Sequence, residues 1–191
     1  MNKHKTGIII AGLMLVIWSC KSKDKGESYL PVSSIIGAQI KDIDTSLYTI
    51  IKITYVDTIR SDTSYVRREE VRELAKDFLT LPEMSKKSYT EENIPGPTNG
   101  VSTFTYKPIH PEKEDLKQID MIIDPSVEGE TKTKITTIII DRLFANRDSS
   151  VEKKLLWEMD KSFQVTTIKQ LPGQPETYSS YKVIWTGVNS E

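Results

Sequence analysis

The sequence predicts an α+β fold: two N-terminal helices packed on a curved, mostly antiparallel meander sheet of about six to eight strands. Before residue 81, two segments place apolar residues at the three- and four-residue spacing of an amphipathic helix. From Val101 onward the chain is a series of strand-like segments joined by short turns. Short connections of this kind favour an antiparallel sheet.

The two helices are identified by their apolar faces. The first is predicted over residues 31–44, where a serine can cap the first turn. The second is predicted over residues 68–80, where Glu69 and Glu70 suit the positive end of the helix and Pro82 follows its last turn. The helical side chains expected in the core, against the inward face of the sheet, are Ile36, Ile40, Val71, Leu74 and Phe78.

The strands are identified by alternation of apolar and polar residues between turn signals. A hairpin is predicted between the helices, with strands over residues 49–56 and 63–67. A turn with two prolines and a glycine over residues 171–175 separates the last two of six further candidates. Those six cover residues 101–107, 116–124, 134–144, 151–160, 162–170 and 177–186.

Residues 83–100 show no regular period and are expected to form a long loop. Loops of this length are uncommon in compact domains unless they are functional or mobile. Tyr89, Ile94, Pro95 and Pro97 would give the loop apolar contact points among charged residues. A merely mobile connection is the favoured expectation for this segment, and a partner contact at these residues is the alternative.

The first 19 residues have the pattern of a signal peptide. Lys3 and Lys5 precede an uncharged apolar stretch over residues 7–18. That stretch falls within the roughly 7 to 15 residues of a signal-peptide core and is shorter than the about 20 residues of a membrane-spanning helix. Because the stretch has no polar face, a buried amphipathic helix fits it less well.

Cys20 ends this region and is the only cysteine of the chain, so it cannot form an intramolecular disulfide. The segment over residues 13–20 resembles a bacterial lipobox, in which the cysteine is modified with diacylglycerol and becomes the first mature residue. Two or more long acyl chains make a lasting membrane anchor. Residues 20–30 would then be a flexible tether with lipidated Cys20, and residues 31–188 a single α+β domain.

The residues after Cys20 bear on location and charge. Lys21 stands where an aspartate would indicate inner-membrane retention in the proteobacterial scheme, so the outer membrane is expected, on its periplasmic face or at the cell surface. Without Lys3 and Lys5 the 26 basic side chains become 24, against 27 acidic ones, and the formal charge is near −3. The basic residues are scattered, so no nucleic-acid partner is expected.

The C-terminal segment over residues 166–176, followed by Lys182-Val183-Ile184-Trp185, resembles the C-terminal hairpin of uncharacterised lipoproteins from Bacteroidota. Together with the lipobox, the early helix and the Arg-Glu-Glu-Val-Arg opening of the second helix, the resemblance spans most of the chain. It implies a lipid-anchored protein and supplies no catalytic residue.

No motif for catalysis, cofactor binding or metal binding is found. His110 is the one histidine of the mature chain, and without a Gly-x-Ser-x-Gly segment it is expected to be a solvated turn residue. A zinc site usually needs three or four Cys or His ligands. The acidic groups considered for calcium, none of which matches a calcium-loop pattern, are Asp42 with Asp44, Asp120 with Asp124, and Glu112 with Glu114 and Asp115.

These patterns predict a membrane-anchored lipoprotein with a non-catalytic binding or accessory role in the cell envelope. The expected partners are the membrane, through the lipid anchor, and an envelope protein or other envelope component. The alternative is a hydrolase-like lipoprotein enzyme whose site the sequence does not reveal. A concave pocket with several converging polar groups of shifted pKa would favour that alternative.

Overall fold

A computed structural model describes residues 28–57, 59–96, 100–124 and 134–185. These residues form a single antiparallel sheet of nine strands together with three short helices. None of the helices described here has the length and apolar character needed to cross a membrane. The elements in chain order are α1 (Val32–Thr45), β1 (Ile51–Tyr55), β2 (Ser61–Tyr65), α2 (Arg68–Leu74), α3 (Lys76–Leu79), β3 (Tyr89–Pro95), β4 (Ser102–Pro108), β5 (Leu116–Asp124), β6 (Lys134–Ala145), β7 (Ser150–Glu158), β8 (Ser162–Gln170) and β9 (Thr177–Ile184).

The sheet combines a long meander with one added hairpin. From β3 to β9 each strand pairs with the next, and the β1–β2 hairpin joins the sheet because β1 pairs with β9. The strand order is therefore β2-β1-β9-β8-β7-β6-β5-β4-β3, which leaves β2 and β3 as the two edge strands. The β1–β9 pair joins the two ends of the domain, with Ile51 opposite Ile184.

The predicted fold class is wrong in its strand count and in its helices. The sheet has nine strands instead of six to eight, because residues 83–100, expected to be a loop, contain β3. The helices are not two N-terminal elements packed on the sheet: there are three short ones, and α2 and α3 follow the first hairpin. The predicted second helix is interrupted at Ala75, whose backbone leaves helical geometry with φ −92° and ψ 5°.

Helix and strand side chains share one hydrophobic core. Ile36, Ile40, Val71 and Phe78 are fully buried, as the sequence predicts, and Leu74 is partly buried at the margin of the core. The ring of Phe78 meets the rings of Trp157 on β7 and Phe163 on β8 with centroid distances of 5.2 and 5.6 Å. Trp157 and Phe163 stack on each other at 5.1 Å. The aromatic strand residues Trp157 and Phe163 are therefore part of the core.

Candidate functional site

The two faces of the sheet differ in what covers them. Residues directly opposite each other in an antiparallel pair lie on the same face, and successive residues alternate between faces. One face, here called the helix face, carries the paired row Met121, Ile138, Trp157, Phe163 and Val183. Phe78 of α3 packs on this face, and Asp77 of α3 binds Lys153 there at 2.7 Å.

The opposite face, here called the polar face, carries a row of polar side chains. The register aligns Gln118, Asp141, Lys154, Thr166 and Ser180 across β5 to β9, and the row continues to Tyr55 on β1. Among the described residues, no side-chain hydrogen bond, ion pair or ring contact joins a helix to this row. Within the described part of the chain, the polar face is therefore the face of the sheet that no helix contacts through these interactions.

A carboxylate network occupies the β4 to β7 part of the polar face. The Asp120 carboxylate accepts hydrogen bonds from Thr105 Oγ1 at 2.6 Å and from Gln118 Nε2 at 2.7 Å. Burial raises the pKa of the nearby Asp141 carboxyl, and the negative charge of Asp120 raises it further, whereas Lys154 opposes the shift. This network can accept or donate hydrogen bonds, but Asp120 and Asp141 do not line the pocket at β1, β8 and β9.

A pocket of about 540 Å³ lies at the β1, β8 and β9 part of the polar face. It is lined by Tyr55, Val56, Asp57, Gln164 and Tyr178, and we call it the tyrosine pocket. Tyr178 is 60% exposed. Two phenol rings at one depression provide flat apolar surfaces together with hydroxyl groups, which suits a ligand that has both apolar and polar groups.

The polar groups of the tyrosine pocket are held by specific contacts. Gln164 Nε2 donates to Ser180 Oγ at 3.1 Å, and Ser180 Oγ lies 2.9 Å from Thr166 Oγ1. The amide oxygen of Gln164 accepts no hydrogen bond from the described part of the chain. It remains able to accept a hydrogen bond from a ligand.

The Asp57 carboxylate orders the chain next to the pocket and adds little net charge to it. Its carboxylate accepts the backbone N–H groups of Ile59 at 2.8 Å and Arg60 at 2.7 Å, and it also binds the Arg60 guanidinium at 2.7 Å. The backbone hydrogen bond from Ile59 is the largest cause that lowers the pKa of Asp57 below its usual value. The pocket is therefore close to neutral, because Arg60 compensates its one carboxylate.

The residues predicted for partner contact do not form a loop. Tyr89, Ile94 and Pro95 belong to strand β3, and Pro97 lies outside the described residues. The Tyr89 side chain is only 2% exposed, and burial raises the pKa of its hydroxyl to about 12, so its ring is not a surface contact. Ile94 is 47% exposed, and a contact role for it and for Pro95 stays a prediction. Cys20, the predicted lipidation site, lies outside the described residues.

The other polar residues singled out in the sequence are surface groups. His110 is exposed, with Nδ1 3.7 Å from the Glu112 carboxylate. Among the residues that the structure covers, no group of three or more His, Cys, Asp or Glu side chains could hold a metal ion. Asp115, one of the acids considered for calcium, instead binds the Arg142 guanidinium.

The tyrosine pocket was not predicted from the sequence. Tyr55 lies on the predicted strand 49–56 and Tyr178 on the predicted strand 177–186, and the pairing of these strands brings the two together. The signal in the sequence was the position of each tyrosine within an alternating strand, but no local pattern indicates that β1 and β9 are neighbours.

Comparisons with known proteins give no family for this chain. No protein-family model, no curated protein and no solved structure gives a significant match. The features that bear on function are therefore the chemistry of the polar face, the tyrosine pocket and the N-terminal sequence. The likeness of the chain to Bacteroidota lipoproteins stays a prediction.

Proposed function

We propose that this protein is a lipid-anchored lipoprotein of the cell envelope that binds a ligand or partner at the polar face without catalysing a reaction. The observation that carries the binding role is the tyrosine pocket on a sheet face to which no described helix contributes. The anchoring role is supported by the apolar stretch over residues 7–18 and by Cys20 directly after Ser19.

The point where the tether meets the domain is compatible with this role. Ser28 forms a β-bridge with Ser85, and the Tyr29 N–H donates to the Met84 carbonyl at 3.0 Å, so the chain joins the domain just before β3. The tyrosine pocket lies on β1, β8 and β9, towards the β2 edge. The described start of the domain at Ser28 and the pocket thus belong to opposite halves of the sheet.

The pocket chemistry favours a neutral ligand rich in hydroxyl groups. The Tyr55 and Tyr178 rings offer flat faces on which a sugar ring can stack, and the Gln164 amide oxygen can accept a hydrogen bond from a hydroxyl group. A strongly charged ligand is not favoured, because Asp57 is already paired with Arg60. The hydrolase-like alternative has no support from the pocket, because Asp141, the carboxyl whose pKa is raised, does not line it.

Lipidation of Cys20 predicts acyl labelling that depends on this residue. The full chain is expressed in a Gram-negative bacterium with a clickable fatty acid, and wild type is compared with Cys20→Ala. We expect label in the wild type, loss of the label in the variant, and movement of the protein from the membrane fraction to the soluble fraction. Equal labelling of the two proteins would remove the anchor from the proposal.

Ligand binding at the tyrosine pocket predicts an effect of Tyr178→Ala. Saturation-transfer NMR with a panel of neutral oligosaccharides is applied to the full chain in detergent. We expect signal for the wild type and a loss of about fivefold in affinity for the variant, because one stacking face contributes on the order of 1 kcal/mol. Tyr48→Ala is the matched control, because Tyr48 is 53% exposed and does not line the pocket. Equal loss in both variants, or no signal for the wild type, would contradict a neutral glycan ligand.

A further inference from the structure

The two edges of the sheet differ in the hydrogen-bonding groups that they present. At the two ends of the β1–β2 pair, the Val66 N–H donates to the Ile50 carbonyl and the Val56 N–H donates to the Arg60 carbonyl. In an antiparallel pair the bonded positions alternate, so Asp62 and Ser64 direct their backbone groups towards β1. Ser61, Thr63 and Tyr65 therefore direct their N–H and C=O groups away from the sheet, where no described residue pairs with them.

The other edge strand, β3, is poorly suited to pairing. The Gly96 N–H donates to the Val101 carbonyl, so the outward backbone groups belong to Tyr89, Glu91, Asn93 and Pro95. Pro95 has no N–H, and the Tyr89 N–H is already bonded to the Ser85 carbonyl at 2.9 Å. Two consecutive acids, Glu91 and Glu92, add charge to this strand. Proline and charge are the usual features that prevent an edge strand from pairing with another chain.

Strand β2 lacks the proline and the consecutive acids of β3. Its five residues, Ser61 to Tyr65, are all exposed, and the strand contains no proline, no lysine and no register shift against β1. Its one charged side chain is Asp62. An exposed strand of this kind is a template for a further strand.

We propose that β2 is an interface between two copies of this chain, which pair through antiparallel β2 strands about a two-fold axis at Thr63. In this register Thr63 lies opposite Thr63 of the second copy, and Ser61 lies opposite Tyr65. All three residues with outward backbone groups then form bonded pairs, for a total of about six hydrogen bonds. The result is one continuous sheet that includes both copies.

Charge selects this register and favours a second copy as the occupant. With the axis at Thr63, Asp62 lies opposite Ser64 of the other copy. If the axis were at Asp62, two carboxylates would face each other directly, which is unfavourable for cross-strand neighbours. With the axis at Ser64, fewer of the five residues of β2 would pair. The strand is therefore complementary to itself in one register, and Thr–Thr is a favourable cross-strand pair.

The exposed tyrosine of β2 gains a neighbour in this arrangement. Tyr65 is 84% exposed and lies on the polar face opposite Ile51. In the dimer the second copy adds Ser61 and Thr63 beside it on the same face, so part of the ring becomes covered. A five-residue strand pair is a small interface and gives weak association in dilute solution. Attachment of both copies to one membrane, which rests on the proposed anchor, raises their effective concentration.

Disulfide trapping tests the pairing in the full chain. Thr63→Cys is expressed in a Gram-negative host, and intact cells are treated with a mild oxidant. Bonded pairs of an antiparallel ladder have Cα atoms about 5.5 Å apart, which lies within the range that a disulfide spans. Asn93→Cys, at an outward position of the β3 edge, is the matched control, and the wild type reports any background from Cys20. We expect a homodimer band for Thr63→Cys at least about tenfold stronger than for Asn93→Cys.

A second measurement keeps the test informative if trapping perturbs the protein. Cross-linking mass spectrometry of the wild type in nanodiscs should recover links between two copies close to β2, and Thr63→Lys should abolish them, because it places two ammonium groups opposite each other. Residue 63 is exposed, so this change is not expected to affect folding.

Equal trapping at residues 63 and 93 without such links would overturn the proposal. A trapped adduct with a different envelope protein would also overturn it, because a foreign strand would then occupy the edge. Fatty-acid labelling at Cys20 does not depend on either result.

Discussion

Phe78 is the side chain through which the short helix α3 enters the core. It is fully buried, and its ring makes edge contacts with Trp157 and Phe163 on two neighbouring strands. Those two rings are themselves stacked with an interplanar angle of 6°. Protein interiors are close-packed. A different aromatic side chain at position 78 would therefore require the neighbouring rings of this cluster to move.

The burial of Phe78 predicts a large effect of truncation. Phe78→Ala should lower the free energy of unfolding by about 3 to 5 kcal/mol, because it removes a buried ring and leaves a cavity. The measurement is a urea titration followed by tryptophan fluorescence, to which the buried residues Trp157 and Trp185 both contribute.

Phe144→Ala is the matched control for Phe78→Ala. The Phe144 ring is 38% exposed and lies 4.8 Å from the Arg142 guanidinium, so its loss should cost about 1 kcal/mol or less. A cost below about 1 kcal/mol for Phe78→Ala would mean that the helical region contributes little to the core.

At the scale of elements, one arginine connects three parts of the chain. The Arg142 guanidinium on β6 binds the Asp115 carboxylate with Nε at 2.7 Å. It also donates to the Asp77 carbonyl at 3.1 Å and to Thr80 Oγ1 at 3.2 Å. Only 8% of the Arg142 side chain is exposed. The contact holds the end of α3 and the β4–β5 connection against the helix face, and it uses the planar, multiple donors that lysine lacks.

The geometry of this contact predicts that Arg142→Lys is destabilising although the charge is kept. We expect a loss of about 2 kcal/mol in the free energy of unfolding. This is below the usual cost of breaking a fully buried pair, because Asp115 is 32% exposed and solvent screens part of its charge. Arg67→Lys provides the comparison, because its side chain is 80% exposed in the pair with Glu70 and the change should leave the free energy of unfolding almost unchanged. If Arg142→Lys and Arg67→Lys lower the free energy of unfolding by similar amounts in a urea titration, the Arg142 contact does not hold these elements together.

The elements differ in how far their sequence predicts them. Strands β5 and β8 match the predicted ranges 116–124 and 162–170, because buried apolar residues alternate with polar ones over much of each strand: Ile119 and Met121 flank Asp120 on β5, and Phe163 and Val165 flank Gln164 on β8. Strand β3 was missed for the opposite reason: all its residues after Tyr89 are exposed, so no apolar alternation marks it. The break at Ala75 was missed because Val71, Ala75 and Phe78 keep helical spacing across it, and all three are buried.

At the scale of the whole molecule, the order of the strands was the least predictable feature. The meander from β3 to β9 follows from short connections, but the β1–β9 pair depends on contacts between the two ends of the chain. The tyrosine pocket and the β2 edge both result from that pair. The sequence therefore predicts most core residues of the helices, whereas the candidate site depends on non-local pairing that periodicity does not encode.

The same topology predicts a gradient of hydrogen-exchange protection across the sheet. Strand β7 is paired on both sides and buries Leu155 and Trp157, whereas β3 is paired only with β4. We therefore expect the amide of Trp157 to exchange only on global unfolding, and the bonded amides of Glu92 and Ile94 to exchange on local opening of the edge. The difference should be at least about two orders of magnitude in rate, because edge segments open with much smaller free energies than the core.

Residue-resolved exchange by NMR at neutral pH tests this gradient. Val165 on β8, which is buried and paired on both sides, serves as an internal reference and should behave like Trp157. The proposed pairing of β2 does not affect the test, because β3 is at the opposite edge of the sheet. Equal protection of Ile94 and Trp157 would mean that β3 is covered by another segment or another molecule, and its edge would then be a second interface and not a free strand.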